Sequence, residues 1–324
     1  MPHTFRRHRD RFAIDPLVTA GLRLRPLAKL RPAQPRHRTP SYNETLARRP
    51  SPLPNPVVRS RQGKEPTMTT IDLAGVSLDV WEGGDGPPLL FLHGAGGFRG
   101  DHPFLGLLGR RRRIVAPSHP GFGLSPLPDW IDRPDDIAHI YLDLLTRIAP
   151  GPIDLIACSL GGWIGAELAS MAPEKFRRLI FVAPVGVKIG SRDKLDIPDI
   201  FATPAAEVEK MLYHEPEKFR PDPSKMSDQE LTVMLRNRET TALLTWEPYM
   251  HNPKLPHRLH RVTNKALFLR GEHDGLISAP YVEGYAKLLP DARTLTLPNT
   301  GHVPQVETPE AFVTAALAFL DGEG

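Results

Sequence analysis

The sequence of 324 residues predicts an α/β fold with a mostly parallel, doubly wound sheet and a helical insertion. Three observations support this prediction. Short apolar runs recur along the chain, and helical patterns with a period of 3.6 residues separate them. One stretch of about 80 residues contains helical patterns and no strand pattern. Strands that alternate with helices favour a parallel sheet that helices cover on both faces.

The predicted strands begin with an antiparallel-looking pair at 69–73 and 77–81, which the turn EGGDGPP bounds. Continuous apolar runs then predict strands that are buried on both faces. These runs are LLFLHG (89–94), RIVAPS (113–118), IDLIACS (153–159), RLIFVAPV (178–185) and ALFLRG (266–271).

The predicted helices cover 134–149, 160–172 and a last segment that begins after Thr308, a residue suited to an N-cap. The strands and helices assign 68–189 and 263–324 to one α/β core. Residues 190–262 interrupt the alternation. Because a structureless loop of that length is unusual, we expect a small helical insertion there with contacts of its own.

The N-terminal segment, residues 1–67, carries a net charge of +11, so the rest of the chain carries −7 of the total of +4. The segment is rich in Arg and Pro and has few periodic apolar residues, which predicts a disordered leader. A targeting segment is the alternative interpretation. Because the body is acidic, the pI of about 9.2 gives no support to a nucleic-acid partner.

Cysteine content and hydropathy favour a cytoplasmic protein that is not embedded in a membrane. Cys158 is the single cysteine, which excludes an internal disulfide and fits a reducing compartment. No apolar run reaches the length of about 18 to 20 residues that a membrane-spanning helix needs. We expect neither a cofactor nor a metal ion.

Ser159 stands in Ala157-Cys158-Ser159-Leu160-Gly161, between a buried strand and a helix. A serine at this place is commonly a helix N-cap. It can also be a nucleophile on a sharp strand-to-helix turn, where small residues two before and two after it let the backbones approach. Gly161 meets this requirement fully, and Ala157 adds one methyl group.

A serine nucleophile needs a base, and the base needs a carboxylate that holds its tautomer. His302 lies in a loop after the final strand, and Asp274 follows the apolar run ALFLRG. Open parallel sheets place their sites at the carboxyl ends of strands, so Ser159, Asp274 and His302 can meet there in the chain order Ser, Asp, His. A surface histidine and a turn aspartate are the alternatives.

The glycine-rich segment FLHGAGGFRG follows another buried strand and can hold an oxyanion hole. We expect the backbone N–H groups of Ala95 and Leu160 to point at a developing negative charge. No Gly-Lys-Ser/Thr sequence follows, so this segment is not a phosphate-binding P-loop.

Taken in this order, LHGAGG, SHPGFGLS, ACSLGG, GEHD and GHVPQVETPEAF resemble the α/β-hydrolase superfamily over 68–324. The resemblance implies Ser159 as nucleophile, His302 as base and Asp274 as the orienting acid. It also implies that the helical insertion covers the active site as a cap. Ala157 departs from the family pattern, which has glycine there.

A serine at the elbow disfavours haloalkane dehalogenases and epoxide hydrolases, whose pattern has aspartate at that position. Meta-cleavage C–C hydrolases keep the serine triad, but their pattern has an HGGGPG-like loop and a Trp after the histidine. Here Val303 follows His302. The expected activity is therefore that of a carboxylesterase-like serine hydrolase, which cleaves an ester, lactone or thioester through an acyl-enzyme.

The expected substrate is a small apolar ester-like molecule. Trp246, Tyr249 and Met250 of the predicted cap are candidates to bind it, although they could equally form the cap's own core. C–C hydrolysis and non-catalytic binding of a small molecule are the alternative functions.

Overall fold

The computed structural model describes residues 65–323, and the predicted leader 1–67 lies almost entirely outside them. Eight strands form one sheet in the order β1-β2-β4-β3-β5-β6-β7-β8. The strands are β1 (Thr67–Leu73), β2 (Val76–Gly83), β3 (Pro88–Leu92), β4 (Arg113–Pro117), β5 (Ile153–Cys158), β6 (Phe176–Val182), β7 (Lys265–Gly271) and β8 (Ala292–Leu297).

Strand β2 pairs antiparallel with both β1 and β4, and every other neighbouring pair is parallel. Each predicted strand is present. The largest shift is at β6, which ends at Val182 where the apolar run continued to Val185. The structure therefore confirms an α/β fold with a mostly parallel sheet.

Nine α-helices occur within residues 65–323, together with short 3₁₀ turns. The helices are α1 (Pro103–Gly109), α2 (Pro134–Ile148), α3 (Leu160–Met171), α4 (Ala205–Leu212), α5 (Pro216–Phe219), α6 (Asp228–Thr245), α7 (Ala279–Ala286), α8 (Pro304–Glu307) and α9 (Pro309–Asp321). In this part of the chain, none is both long and apolar enough to cross a membrane.

Two apolar clusters cover the two faces of the sheet, as a doubly wound fold requires. Helices α2, α3 and α7 pack on one face, and α1 and α9 pack on the other. Thr308 occupies the position before α9, but its hydroxyl donates to the Pro304 carbonyl instead of capping the helix.

The segment between β6 and β7 contains α4, α5 and α6 and no strand, as its sequence predicts. Helix α6 begins with a capping box in which Ser227 and Glu230 bond each other's backbone N–H. The two ends of the segment meet in a parallel bridge between Gly186 and His251. The N–H of Asn252 also donates to the Gly186 carbonyl at 2.9 Å.

The buried carboxylate of Glu167 fixes this junction to helix α3. It accepts hydrogen bonds from Asn252 Nδ2 at 2.7 Å, Trp163 Nε1 at 3.3 Å and Arg258 Nη1 at 3.2 Å. A buried carboxylate needs such partners, since burial alone raises the pKa of Glu167. The base of the insertion is therefore tied to the helix that follows Ser159.

Candidate active site

Ser159 lies between β5 and α3 in a backbone conformation that few L-residues adopt. Its φ is 51° and its ψ is −111°. The surrounding sheet and helix hold it there, because its N–H donates to the Val182 carbonyl at 2.8 Å and its carbonyl accepts from the Trp163 N–H at 3.2 Å. Such a strained turn exposes the side chain at the end of a strand, as a nucleophile elbow requires.

The turn brings backbone atoms very close to the residues that flank Ser159. A Cβ atom added to Gly161 would lie 2.5 Å from the carbonyl oxygens of Leu92 and His93. On the other side, a Cβ added to Gly165 would lie 2.9 Å from the Ala157 Cβ. Gly165 thus provides the space that the extra methyl group of Ala157 occupies.

We expect Ala157→Gly to leave stability and kcat/KM nearly unchanged and Ala157→Val to be damaging. The added methyl groups of valine would press on α3 at Gly165, and overpacking of this kind costs about 1–3 kcal/mol. Thermal unfolding and kcat/KM on an activated ester measure the two effects.

A second pair of substitutions tests the same contact between residues 157 and 165 from the side of helix α3. Gly165→Ala places the new methyl group against Ala157 and should destabilise the protein, and adding Ala157→Gly should recover much of the loss. If the effects of Gly165→Ala and Ala157→Gly on the free energy of unfolding were additive, the contact between β5 and α3 would be contradicted. An Ala157→Val variant as stable as the wild-type protein would contradict it as well.

Asp274 and His302 are hydrogen-bonded to each other and buried. Asp274 Oδ2 lies 3.0 Å from His302 Nδ1, and Asp274 Oδ1 accepts from the N–H groups of Leu276 and Ile277 at 2.9 and 2.8 Å. The two backbone donors fix the carboxylate, which in turn places the proton on Nδ1 of the imidazole. Nε2 of His302 is then left as a proton acceptor.

The insertion also holds His302 in place, because the His302 N–H donates to the Leu212 carbonyl of α4 at 2.7 Å. Ser159 and His302 line the same cavity of about 580 Å³. Within residues 65–323 no hydrogen bond joins the Ser159 hydroxyl to the His302 ring. Catalytic hydrogen bonds are often long in the absence of substrate and shorten when it binds.

Ala95 and Leu160 line this cavity beside Ser159. In the described part of the chain, neither backbone N–H donates to another protein group. The preceding carbonyl, that of Gly94, accepts from His93 Nδ1 at 2.8 Å and from the Gly97 N–H at 3.1 Å. Since C=O and N–H of a trans peptide point in opposite directions, these two bonds set the direction of the Ala95 N–H.

His93 belongs to a buried chain of hydrogen bonds that also fixes its tautomer. Its Nε2 accepts from the His119 N–H at 3.0 Å, so Nδ1 carries the proton that reaches Gly94. His119 Nδ1 lies 2.6 Å from the Tyr141 hydroxyl. Burial lowers the pKa of His93 to about 4 and also lowers that of His119. Both rings are therefore neutral at pH 7.

The cavity has an apolar interior and a charged rim. Mostly buried aliphatic side chains line the interior, among them Val185, Ile200, Val208, Leu212, Leu276 and Ile277. Exposed charged side chains line the rim, namely Arg99, Arg220, Asp222, Lys225 and Glu230. A site with this composition suits an apolar molecule whose polar end faces water.

The three cap residues that the sequence suggested lie in different places. Met250 is buried and lines the cavity. Tyr249 lines a smaller cavity of about 200 Å³ and donates its hydroxyl to the Pro198 carbonyl at 2.7 Å. Trp246 is 57% exposed and packs against Phe201 outside the cavity. It is not a contact of this cavity because it occupies the outer face at the end of α6.

Sequence reasoning did not identify His93, His119, Tyr141 or Asn237, all of which contact the loops around the cavity. The His-Gly pair of LHGAGG was a usable signal for His93. The cavity neighbours a buried thiol as well, since Cys158 precedes Ser159, and burial raises the pKa of that thiol. In residues 65–323 no group of three His, Cys, Asp or Glu side chains is arranged to hold a metal ion.

A sequence profile of the Alpha/beta hydrolase family matches residues 89–316. The chain is similar to 2-hydroxy-6-oxo-2,4-heptadienoate hydrolase of Pseudomonas putida, with 23% identity over 77% of this chain and 94% of that protein. It is 25% identical to the pimeloyl-[acyl-carrier protein] methyl ester esterase of Nitrosomonas europaea, over 74% of this chain and 97% of the esterase.

Solved structures agree in fold. A bacterial membrane phospholipase A superposes with a TM-score of 0.67 and 23% identity, over 80% of this chain and 86% of that chain.

Proposed function

The chain belongs to the alpha/beta hydrolase family, and from that premise we propose that it is a serine hydrolase that cleaves a carboxylic ester, lactone or thioester. One observation carries the proposal. His302, which is hydrogen-bonded to the buried carboxylate of Asp274, lines one cavity with Ser159, and Ser159 has the backbone conformation of a nucleophile elbow.

In the proposed mechanism, Ser159 Oγ attacks the carbonyl carbon while His302 Nε2 takes the hydroxyl proton. Asp274 stabilises the imidazolium that forms, and the Ala95 and Leu160 N–H groups bind the oxyanion. His302 then gives its proton to the leaving alcohol or thiol, and an acyl-enzyme remains. A water molecule, activated by the same imidazole, releases the acid and restores Ser159.

The helical insertion 190–262 acts in this proposal as the cap over the site. It contributes Ile200, Val208, Leu212 and Met250 to the apolar interior of the cavity. The insertion also lines the cavity with the aromatic side chains of Tyr213 and Phe219, so we propose that the preferred substrate has an apolar acyl or alcohol chain. The relative that is named as a methyl ester esterase supports the ester class.

Labelling with a fluorophosphonate tests the proposed function. We expect one adduct on the wild-type protein and none on Ser159→Ala, because only an activated serine reacts rapidly with this probe. Ser170→Ala is the matched control, since Ser170 is a buried serine on α3 away from the cavity. Absence of an adduct on the wild-type protein would favour a non-catalytic small-molecule-binding role.

A substrate panel then separates the reaction classes. We expect turnover of aliphatic esters of graded acyl length, with lactones and thioesters as further members of the panel. A 2-hydroxy-6-oxo-2,4-dienoate belongs in it because a relative is named as a hydrolase of such a compound. Turnover of the dienoate alone would replace the ester proposal with the C–C alternative.

A further inference from the structure

Helix α6 of the insertion buries polar side chains and exposes apolar ones. Asn237 and Thr240 are buried, whereas Leu235 and Leu243 are 62% and 60% exposed. Surface helices ordinarily turn their apolar stripe toward the core. A buried polar stripe is stable only where each group has a hydrogen-bond partner, so its partners explain the orientation of α6.

Those partners are backbone groups of two loops at the carboxyl edge of the sheet. Asn237 Nδ2 donates to the Gly96 carbonyl at 3.0 Å, and Asn237 Oδ1 accepts from the Gly123 N–H at 3.0 Å. One turn further along the same face, Thr240 Oγ1 donates to the Gly121 carbonyl at 2.9 Å. Of these two side chains, only Asn237 reaches the loop that carries Ala95.

The segment 94–97 is therefore held at two points. His93 binds the Gly94 carbonyl from within the core, and Asn237 binds the Gly96 carbonyl from the insertion. The Ala95 N–H lies between these two points. Because an oxyanion donor works only at hydrogen-bond distance from the developing charge, a small displacement of this segment weakens it.

We propose that Asn237 is a positioning residue that makes the oxyanion donor Ala95 depend on the docking of helix α6. The proposal rests on the proposed function and adds a role for the insertion beyond covering the site. Asn237 touches neither substrate nor the reacting atoms and acts through the Gly96 carbonyl. Its loss should weaken binding of the transition state while leaving binding of the substrate unchanged.

Two substitutions separate the contacts of Asn237. Asn237→Asp, assayed at a pH where the new carboxyl is ionised, keeps the acceptor for the Gly123 N–H but places a second acceptor opposite the Gly96 carbonyl, which breaks that bond alone. A protonated carboxyl would donate to the Gly96 carbonyl and restore the bond. Asn237→Ala removes both bonds. Thr240→Val is the matched control, because it keeps the shape of a buried residue on the same face and removes a bond to the other loop.

Both Asn237 variants should lower kcat on a short ester by about tenfold, with KM within about twofold of the wild-type value. The affinity for a trifluoromethyl ketone, whose hemiketal oxyanion occupies the same hole, should fall by a similar factor. Hydrogen exchange in the peptide that contains 94–97 should accelerate. Thr240→Val should change kcat and ketone affinity by less than about twofold.

If Thr240→Val lowered kcat and ketone affinity as much as the two Asn237 variants do, the proposal would be overturned. A change in KM with no change in kcat would also overturn it. Thermal unfolding shows whether a variant remains folded, and Asn237→Ala serves if Asn237→Asp does not fold. If the wild-type protein neither hydrolyses esters nor reacts with a fluorophosphonate, the proposed function fails by itself. Hydrogen exchange at 94–97 still decides whether Asn237 orders this loop.

Discussion

Ser159→Ala and His302→Ala are each expected to lower kcat on an activated ester by about 10⁴–10⁶, and the double variant should be little worse than either. In the proposed mechanism both side chains take part in one proton transfer, so a base without its nucleophile should contribute almost nothing. Steady-state kinetics of the two single variants and the double variant measure this coupling. A residual rate above that in water should remain, since the Ala95 and Leu160 N–H groups are unchanged.

His273→Ala is a suitable control for His302→Ala. His273 precedes Asp274, but its ring stacks on His214 at the surface instead of facing the cavity. We expect its removal to leave kcat within about twofold. Independent, multiplicative losses from Ser159→Ala and His302→Ala would show that the two residues do not share a step. Full activity of Ser159→Ala would exclude the mechanism.

Asp274→Asn is expected to lower kcat by about 10⁴ while the fold is kept. The N–H groups of Leu276 and Ile277 both point at Oδ1, so the asparagine oxygen must take that position. Its NH₂ group then faces His302 Nδ1, which has to become an acceptor. The imidazole proton moves to Nε2. Because Nε2 then carries a proton, it can no longer accept the hydroxyl proton of Ser159.

Asp196→Asn is the matched control for Asp274→Asn. It also replaces a carboxylate that accepts from two backbone N–H groups. Asp196 accepts from the N–H groups of Ile189 and Gly190 and pairs with Lys188 Nζ at 3.1 Å, and within residues 65–323 no hydrogen bond joins it to a histidine. The effect of Asp196→Asn on kcat should be small, and the effect of Asp274→Asn large. Equal kcat for Asp274→Asn and the wild-type protein would mean that Asp274 does not set the tautomer of His302.

The fold and the arrangement of Ser159, Asp274 and His302 could be inferred from sequence because local patterns encode them. Each residue follows a strand, and parallel strands that end at one edge bring such residues together. The placement of Trp246, Tyr249 and Met250 could not be inferred. A helix shows which residues share a face, but its rotation about its axis depends on contacts with distant segments.

Asn237 illustrates this limit most clearly. Its partners Gly96 and Gly123 lie 141 and 114 residues away in the chain. Helix α6 has a buried leucine, Leu244, as well as the exposed Leu235 and Leu243, so its apolar pattern alone does not identify the buried face. The partners of Asn237 are backbone groups of the two loops, and no residue type marks in advance which backbone carbonyl or N–H a distant side chain will bind.

The bridge between Gly186 and His251 has a consequence for the evolution of new specificities. The chain leaves the core at Gly186 and returns to it at His251, and the bridge between these residues fixes the distance between the two ends of the intervening segment. The carboxylate of Glu167 anchors this junction to the core through Asn252, which lies outside the segment between Gly186 and His251, so this bond does not depend on the sequence of that segment. Insertions, deletions and recombination between Gly186 and His251 can therefore change the lining of the cavity while the strands that precede Ser159, Asp274 and His302 keep their register.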